Sequence, residues 1–319
     1  MKDNIELVRD NSFLIRPKAL LKSMHLGIIA LSAENLEVQD IHYELEKRNI
    51  QHEIFSLQHL EARIGGSFNL QILTKSGSIV SDMDGVFVRG IGSATVAYPK
   101  IFFRLDSLYA LERMGVVVLN NPRSIEYSTD KYFTSIILAE HHVVTPRTIV
   151  CESFNAAIAA FDKLGGDVVV KPIYGAMGIG IMRLTDRGEA ERIFMKLEEL
   201  NEVFYLQEFI EHQNRDIRVF VLGGEVLGGM YRVAKDWKTN IHMGGQAAPL
   251  NITPEIAELA IKATEITNLE VSGVDILESK DGLQVIEVNS IPGWRGLQQV
   301  VPIDIPAKVV DYLLAKCCK

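Results

Sequence analysis

Short apolar segments alternate with helical ones through the first third of the chain, and this alternation constrains the fold most strongly. The segments typical of strands are residues 24–31, 52–57, 84–89 and 116–119, and those with helical periodicity are residues 35–48 and 101–114. Strands that alternate with helices form a mainly parallel sheet, because a crossover helix returns the chain to the same end of the sheet. We therefore predict an α/β lobe over residues 24–122, preceded by a peripheral arm over residues 1–23.

The rest of the chain changes to an α+β pattern. Helices are predicted at residues 128–140, 187–200 and 254–267, and strands at residues 167–172, 181–184, 218–222, 225–231, 271–277 and 283–289. Gly-Gly joins one pair of these strands and Ser-Lys-Asp-Gly joins the last pair, which is typical of antiparallel hairpins. The predicted fold class is thus α/β (α+β), with a central lobe over residues 123–205 and a C-terminal lobe over residues 206–319.

Charge and hydropathy exclude several classes of protein. The net charge is -8, whereas binding to nucleic acid or to an anionic membrane requires a positive field. No segment approaches the ~20 apolar residues of a membrane helix, and the charged start lacks the apolar run of a secretory signal. We therefore expect a cytoplasmic protein without nucleic-acid or membrane partners, and a homo-oligomer stays open. The cysteines, Cys151, Cys317 and Cys318, lack the spacing of a disulfide framework.

The last predicted hairpin carries acidic and amide side chains within otherwise apolar strands. Glu287 and Asn289 point to the same face because side chains alternate along a strand, and Asp275 on the paired strand can meet them. Four flanking residues are expected to face the other side: Val274, Ile276, Ile286 and Val288. Two carboxylates and an amide oxygen are hard ligands that suit Mg²⁺. A solvated sheet face is the alternative, but we favour a metal site because the strand runs directly into the turn SIPGWRG.

A glycine-rich segment between two predicted strands is a candidate phosphate loop. Lys171 ends the first strand, and Gly178 and Gly180 follow in KPIYGAMGIG. Glycine lets backbone N–H groups approach phosphate oxygens, and the lysine ammonium can bind the same oxygens. The segment is not a Walker A loop, because no Gly-Lys-Ser/Thr ends it, and a strand rather than a helix follows, which excludes the dinucleotide fingerprint. A plain glycine hairpin explains this pattern equally well.

Several cations and one strand end complete the candidate set. Arg218 and Arg232 lie within apolar strand patterns, where a charge requires a partner such as a phosphate. Lys131 begins a helix and Lys238 lies in YRVAKDWKTN, although most cations on an acidic protein are solvated. Residues 207–210 can present backbone groups to an adenine edge, although a routine strand end is the simpler interpretation.

Six motifs, taken in chain order, carry a family resemblance. They are DKYFT, VVVKPIYGAMGIGI, QEFIE, DIRVFVLGGEV, YRVAKDWKTNIHMGG and GVDILES with VIEVNSIPG. Together they resemble the ATP-grasp superfamily, and within it the RimK-like α-L-glutamate ligases, over residues 84–298. The resemblance implies an ATP-grasp fold whose lobes enclose the nucleotide, and a ligase that joins a carboxylate to an amine through an acyl-phosphate. The implied cofactors are ATP and two Mg²⁺ or Mn²⁺ ions.

The resemblance also implies roles for the matching residues. The implied nucleotide-binding residues are Lys131, Lys171, Gly178, Gly180, Glu208, Phe209, Ile210, Asp216 and Lys238. The implied catalytic residues are Arg218, Arg232 and Asn240, and the implied metal ligands are Asp275, Glu287 and Asn289. Arg89 and Arg295 are the candidates for binding the substrate.

Departures from the ribosomal-protein modifiers point to a different acceptor. Lys238 stands where close relatives often carry Arg, the linker at residues 211–215 is shorter, and SIPGWRG is less acidic. With VRGIGSAT at residues 88–95, the pattern is most similar to the branch that adds glutamate to tetrahydromethanopterin-type coenzymes. The expected partners are a small-molecule carboxylate acceptor and L-glutamate. The alternatives are a ligase acting on the deazaflavin coenzyme, a protein C-terminus or an amino-acid carrier protein, and a non-catalytic ATP-binding module.

Overall fold

The computed structural model describes residues 24–92, 98–175 and 178–318. The arm predicted over residues 1–23 lies outside the described residues, as do Ala176 and Met177 of the glycine-rich segment. The described strands form a parallel sheet, two larger antiparallel sheets and a two-stranded hairpin. The predicted combination of an α/β lobe with α+β lobes is therefore confirmed.

The first lobe is built on a four-stranded parallel sheet. Its elements are β1 (His25–Ile29), α1 (Leu36–Lys47), β2 (Gln51–Phe55), β3 (Glu61–Ile64), β4 (Leu70–Leu73), β5 (Gly85–Val88), α2 (Tyr98–Arg113) and β6 (Val117–Leu119). The strand order in the sheet is β2-β1-β5-β6, and β3 pairs with β4 in a separate hairpin. Helices α1 and α2 cover opposite faces of the parallel sheet, because they bury their apolar residues in two different cores.

The middle of the chain forms a four-stranded antiparallel sheet with the order β7-β10-β8-β9. The elements of this part are α3 (Pro122–Thr129), α4 (Lys131–Glu140), β7 (Thr148–Cys151), α5 (Phe154–Lys163), β8 (Val168–Lys171), β9 (Met182–Leu184), α6 (Arg187–Glu199) and β10 (Phe204–Glu208). The helix predicted at 128–140 is divided at Asp130, whose side chain caps α4 by accepting a hydrogen bond from Phe133 N (3.0 Å). Lys131 is consequently the first residue of α4.

The C-terminal part forms a five-stranded antiparallel sheet with the order β13-β12-β11-β14-β15. Its elements are β11 (Arg215–Leu222), β12 (Glu225–Val233), β13 (Gln246–Pro249), α7 (Pro254–Ile266), β14 (Val271–Ser279), β15 (Gly282–Asn289), α8 (Arg295–Gln298) and α9 (Ile305–Cys317). Both predicted hairpins are confirmed. In the part of the chain that the structure describes, no helix is long and apolar enough to span a bilayer.

Several elements have no counterpart among the sequence predictions. They include the strands β3, β4, β7 and β13 and the helices α5 and α9. The four strands have four residues each, and so few positions do not establish a period of two. The two helices did carry a readable signal, because Ser153 and Asp304 cap their first turns and apolar residues follow at helical spacing.

The parallel sheet and the five-stranded sheet share one apolar core. Leu26 and Phe87 of the first lobe lie in the same buried cluster as Phe220 and Trp294. Helix α9 adds Val309 and its neighbours to this cluster and packs against α1, although it follows the C-terminal sheet in the chain. Burial of these side chains fixes the first lobe against the end of β15.

Asn120 joins the two sheets by hydrogen bonds at the end of β6. Its Nδ2 donates to Val271 O and to Ser290 O (2.7 Å each), and its Oδ1 accepts from Glu270 N (2.9 Å) and Val271 N (2.8 Å). The side chain is 1% exposed, so all four bonds are shielded from water. Asn120 therefore positions the start of β14 and the residue that follows β15.

Replacing Asn120 by Ala is expected to destabilise the fold by about 3 kcal/mol or more, because each buried group left without a partner costs about 1–3 kcal/mol. Urea denaturation followed by circular dichroism measures this loss. Asn251→Ala is the control, since Asn251 is exposed, and should change stability by less than about 0.5 kcal/mol. Equal stability of the two variants would contradict the assigned role of Asn120.

Candidate active site

The hairpin β14–β15 forms the floor of a cleft. Asp275 is paired with Glu287 across the two strands, and Asn289 is paired with Gly273. A β-bulge beside Asp275 leaves Ile286 as an extra residue in β15. Because of this bulge Ile286 lines the cleft together with Glu287, so the prediction that Ile286 faces away is wrong. The other three flanking residues, Val274, Ile276 and Val288, are buried in the core as predicted.

The cleft holds about 720 Å³ of empty space, counted to its open mouth. Its walls come from β8, the end of β10 and the strands β11, β12, β14 and β15. The predicted site residues that line it are Lys131, Lys171, Glu208, Phe209, Ile210, Asp216, Arg232, Lys238, Asn240, Asp275 and Glu287. Most of the predicted set is therefore gathered in one place.

Two lysines face the carboxylates in the cleft. Lys131 Nζ lies 3.3 Å from Glu287 Oε1 and donates to Gly175 O (2.6 Å). Lys171 Nζ donates to Gln207 Oε1 (2.7 Å). The pKa of Lys171 is lowered to about 8, mainly because the ammonium is buried and partly because of the charge of Lys131, while Glu287 and Asp275 oppose the shift. These two ammonium groups have few acidic partners. An anionic ligand in the cleft can therefore take the place of their present partners.

A network of buried charges lies behind the lysines. Arg218 donates to both carboxylate oxygens of Asp275, with 2.8 Å between Nη2 and Oδ2. Arg232 binds Asp216 in the same bidentate manner, with 2.8 Å from Nε to Oδ1, and its Nη2 also lies 2.9 Å from Asp275 Oδ2. Although burial alone would raise the pKa of Asp275, the two guanidinium groups hold it below its usual value. The carboxylate therefore stays charged in a buried position.

The opposite end of the cleft is apolar and aromatic. Phe209 contacts Trp237 edge-to-face, with 6.2 Å between the ring centroids, and the Arg183 guanidinium lies 3.4 Å from the Phe209 ring centroid. Glu208 accepts two hydrogen bonds from Arg147, from N (2.7 Å) and Nε (2.6 Å). Sequence reasoning missed several lining residues here: Pro146, Val169, Ile181, His212, Trp237 and Leu277. Trp237 carried a signal, as one of two tryptophans in the chain.

The glycine-rich segment touches the loop that follows β12. A Cβ atom at Gly178 would lie 2.7 Å from Asn240 Oδ1, and the φ angle of Gly178 is +76°. Gly180 has a φ of +77°. Both positions require glycine, because other residues are strained in this region. The segment joins β8 to β9 as an antiparallel hairpin, in agreement with the predicted strand on each side.

Arg89 and Arg295 lie outside the cleft, at the contact between the first lobe and the segment after β15. Arg89 Nη1 donates to Pro292 O (2.9 Å), and its guanidinium lies 4.6 Å from the Trp294 ring centroid. Arg295 Nη2 donates to Asp40 Oδ1 (3.0 Å) and Leu36 O (3.2 Å). The structure therefore separates the two predicted substrate-binding residues from the other site residues.

The oxygen ligands of the cleft fit a hard divalent cation only in part. Within residues 24–92, 98–175 and 178–318, no three His, Cys, Asp or Glu side chains form a metal cluster. Asp275 and Glu287 supply carboxylates, and Asn289 Nδ2 donates to Gly273 O (3.1 Å), which leaves Oδ1 for another partner. Such a set suits Mg²⁺, which keeps water and phosphate oxygens among its ligands.

Residues 128–313 match the family model described as the RimK-like ATP-grasp domain. The chain is 36% identical over 301 residues to the tetrahydromethanopterin:alpha-L-glutamate ligase of Methanocaldococcus jannaschii, which covers 91% of the chain and 98% of that relative. It is also 36% identical over 216 residues to the ribosomal protein bS6–L-glutamate ligase of Escherichia coli, covering 66% and 72% of the two chains.

Solved structures agree on the fold. The ATP-grasp ligase PsnB in complex with a minimal precursor superimposes with a TM-score of 0.72 at 20% identity, over 92% of this chain and 99% of that chain. D-alanine–D-alanine ligase from Bacillus anthracis in complex with ATP has a TM-score of 0.67 at 17% identity, over 93% and 98%. At these identities the likeness concerns the fold alone. The family model and the curated relatives together show that the chain belongs to the RimK-like ATP-grasp family of ligases.

Proposed function

We propose that this ATP-dependent ligase adds L-glutamate to a carboxylate acceptor of the tetrahydromethanopterin type. The observation that carries the proposal is the cleft, where two lysines and two buried arginines lie against the carboxylates of β14 and β15. The choice of acceptor is supported by relatives named for that coenzyme, two of which align with 91% of this chain. Three free cysteines suit a cytoplasmic location.

The proposed reaction has two steps. A carboxylate oxygen of the acceptor attacks the γ-phosphorus of ATP, the bond to the β,γ-bridging oxygen breaks, and ADP leaves. The amine of glutamate then attacks the acyl carbon, loses a proton, and releases inorganic phosphate. Lys131, Lys171, Arg218 and Arg232 neutralise the charge that develops on the transferred phosphoryl group. No covalent enzyme intermediate is required, because positioning and charge neutralisation supply most of the catalysis.

Two divalent ions, Mg²⁺ or Mn²⁺, would be held by Asp275, Glu287 and Asn289. When bound, they supply positive charge against the phosphate oxygens. In the structure Asp275 is paired with Arg218 and Arg232. Phosphate groups of a bound nucleotide can pair with these two guanidinium groups instead. The Asp275 carboxylate then becomes available to bind a metal ion.

The nucleotide is proposed to lie with its base in the aromatic end of the cleft. Phe209 N already donates to Asp167 O (3.0 Å), so an adenine edge would meet the backbone at Ile210, beside Glu208. Asp216 and Lys238 are proposed at the ribose and the phosphates. Asn240 is proposed beside the reacting centre. Gly178 and Gly180 let their hairpin cover the phosphates and keep water away from the acyl-phosphate.

The acceptor is proposed to enter between the cleft and the first lobe. Arg89 binds its carboxylate, because this guanidinium carries a buried Nε without a hydrogen-bond partner. Arg295 shapes the same entrance through its contacts with α1. The alternatives, which share this geometry, are the deazaflavin coenzyme, a protein C-terminus or an amino-acid carrier protein as acceptor, and a non-catalytic ATP-binding module.

The function is tested by supplying reduced pterin, deazaflavin, peptide and carrier-protein acceptors with ATP, Mg²⁺ and glutamate. We expect ADP to form with the pterin acceptor in step with a product heavier by one glutamyl residue. Glu287→Gln should slow ADP formation at least about 100-fold. The control is Asp281→Asn, on the turn of the same hairpin, which should retain full activity. If only a different acceptor is modified, the tetrahydromethanopterin assignment is wrong. If no acceptor is modified, the result favours a non-catalytic ATP-binding module.

When a nucleoside triphosphate analogue binds at alkaline pH, the protein should take up a proton from the buffer. The pKa of Lys171 is about 8, and an adjacent polyanion raises it because the charged form is favoured. The uptake should approach one proton per site near about pH 9 and fall close to zero at about pH 7. Calorimetry in two buffers with different ionisation enthalpies measures it. Lys171→Arg keeps the charge and should bind without uptake, and an uptake that is unchanged in this variant would contradict the assignment.

Metal binding without nucleotide should become tighter when Lys131 is replaced by Met. Lys131 competes with a cation for Glu287, so its removal should strengthen Mn²⁺ binding about threefold to tenfold. The same variant should bind nucleotide more weakly. Electron paramagnetic resonance of free Mn²⁺ measures the metal affinity, with Lys280→Met on the hairpin turn as control. Weaker Mn²⁺ binding by Lys131→Met would argue against Glu287 as a metal ligand.

A further inference from the structure

Two guanidinium groups in the first lobe, one buried and one half-buried, have no carboxylate within ion-pair distance among the described residues. Arg104, on α2, is 5% exposed, and its Nη1 donates to Ile91 O (2.7 Å). Arg89, at the end of β5, donates to Pro292 O and has a buried Nε without a partner. Neither takes part in an ion pair within 4.0 Å among the described residues. A desolvated cation without a counter-charge is costly, which indicates that a ligand completes the site.

The position of these arginines in the sheet points to a ligand site. Strand β1 pairs with β2 on one side and β5 on the other, while α1 and α2 cover opposite faces. The gap between β1 and β5 is therefore the topological switch point, where ligands bind at the carboxyl ends of the strands. The loops after these strands meet here, because a Cβ at Gly90 would lie 3.0 Å from Leu31 Cγ. Arg89 lies at this carboxyl-terminal edge of the sheet, and so does the Ile91 carbonyl that accepts a hydrogen bond from Arg104.

Arg89 is linked to the end of β15, and Arg104 is linked to the segment that follows Arg89. Arg89 Nη1 donates to Pro292 O, three residues after Asn289 at the end of β15. Three residues span at most about 10 Å, so Arg89 lies close to the candidate metal ligand Asn289. Arg104 Nη1 donates to Ile91 O, two residues after Arg89. An elongated ligand whose reacting group meets Arg89 can therefore present a further group to Arg104.

Nearby acidic groups offset this positive charge only in part, and only at Arg89. Glu37 and Asp40 on α1 are close enough to influence Arg89 electrostatically. The Asp40 carboxylate, however, is occupied by Arg295 (3.0 Å) and by Trp294 Nε1 (2.9 Å). The pKa of Arg104 is lowered by burial alone. The chain thus leaves positive charge at this edge for a group supplied from outside.

We propose that Arg89 and Arg104 form an anion-binding subsite for the acceptor, which therefore carries a second anionic group besides the carboxylate that reacts. Arg89 orients the reacting carboxylate and Arg104 holds the distal group, a carboxylate or a phosphate. A guanidinium suits both, because its planar donors match two oxygens of either group. The inference rests on the proposed function and narrows its acceptor to a class with at least two negative charges.

Arg104→Gln is the informative variant, because the amide of Gln can still donate to Ile91 O but carries no charge. Arg113→Gln is the matched control, since Arg113 lies at the exposed end of the same helix. With the acceptor found in the ligase assay, Arg104→Gln should raise the KM for the acceptor about 10-fold to 100-fold. The kcat and the KM values for ATP and glutamate should stay unchanged. Arg113→Gln should leave all of these values unchanged.

A binding assay without turnover separates this subsite from the ligase function. Calorimetry or chemical-shift mapping with glutarate, with its one-charge analogue butyrate, and with inorganic phosphate should show binding of glutarate or phosphate but not butyrate. Arg104→Gln should lose that binding and Arg113→Gln should keep it. Glutarate binding would assign a distal carboxylate, and phosphate binding a distal phosphate. This result stands even if no acceptor supports ADP formation.

Thermal unfolding decides between a ligand-binding and a purely structural arginine. Removing an unpaired buried charge should leave the melting temperature of Arg104→Gln equal to or above that of the natural chain. A melting temperature several degrees lower, together with an unchanged acceptor KM, would overturn the proposal. So would binding of glutarate and phosphate that Arg104→Gln leaves intact, or no binding of either by the natural chain.

Discussion

The register of the five-stranded sheet depends on four charged residues on adjacent strands, three of them buried. Asp216 on β11 is paired with Arg232 on β12, and Arg218 on β11 is paired with Asp275 on β14. A slip by one residue would turn these charges into the apolar core, so that the register is strongly specified. The same residues line or border the cleft. One set of ion pairs therefore stabilises the sheet and keeps charged groups ready for a phosphate ligand.

The first lobe helps to position the two strands β14 and β15, because it is hydrogen-bonded and packed against their ends. Asn120 binds the start of β14 and the residue after β15, and Trp294 lies in the core shared by both sheets. Arg218 and Arg232 are paired with Asp216 and Asp275, whereas Arg89 and Arg104 at the sheet edge have no ion-pair partner among the described residues. A paired charge is stabilised by its partner within the fold, whereas a buried charge without a partner becomes more stable when an anionic ligand binds beside it.

The sequence predicted those elements whose pattern is local and long. Alternating strands and helices, two hairpins with clear turns, and oxygen ligands within apolar strands were all readable. Strands of four residues were not, because a period needs more positions. The bulge at Ile286 was also unreadable, since it arises from the pairing of β15 with β14 and reverses the alternation on one strand only. The metal, phosphate and acceptor roles of individual residues stay predictions until they are measured.

By itself the sequence determined the fold class, the family and most of the residues that line the cleft, because those depend on residue type and order. The tertiary structure alone decided which charges are paired. Lys131 reaches Glu287 from a helix more than a hundred residues away, and Arg104 donates to Ile91 O with no ion-pair partner in the described part of the chain. Pairing and desolvation depend on distances across the folded chain, and a linear pattern of residues does not contain those distances.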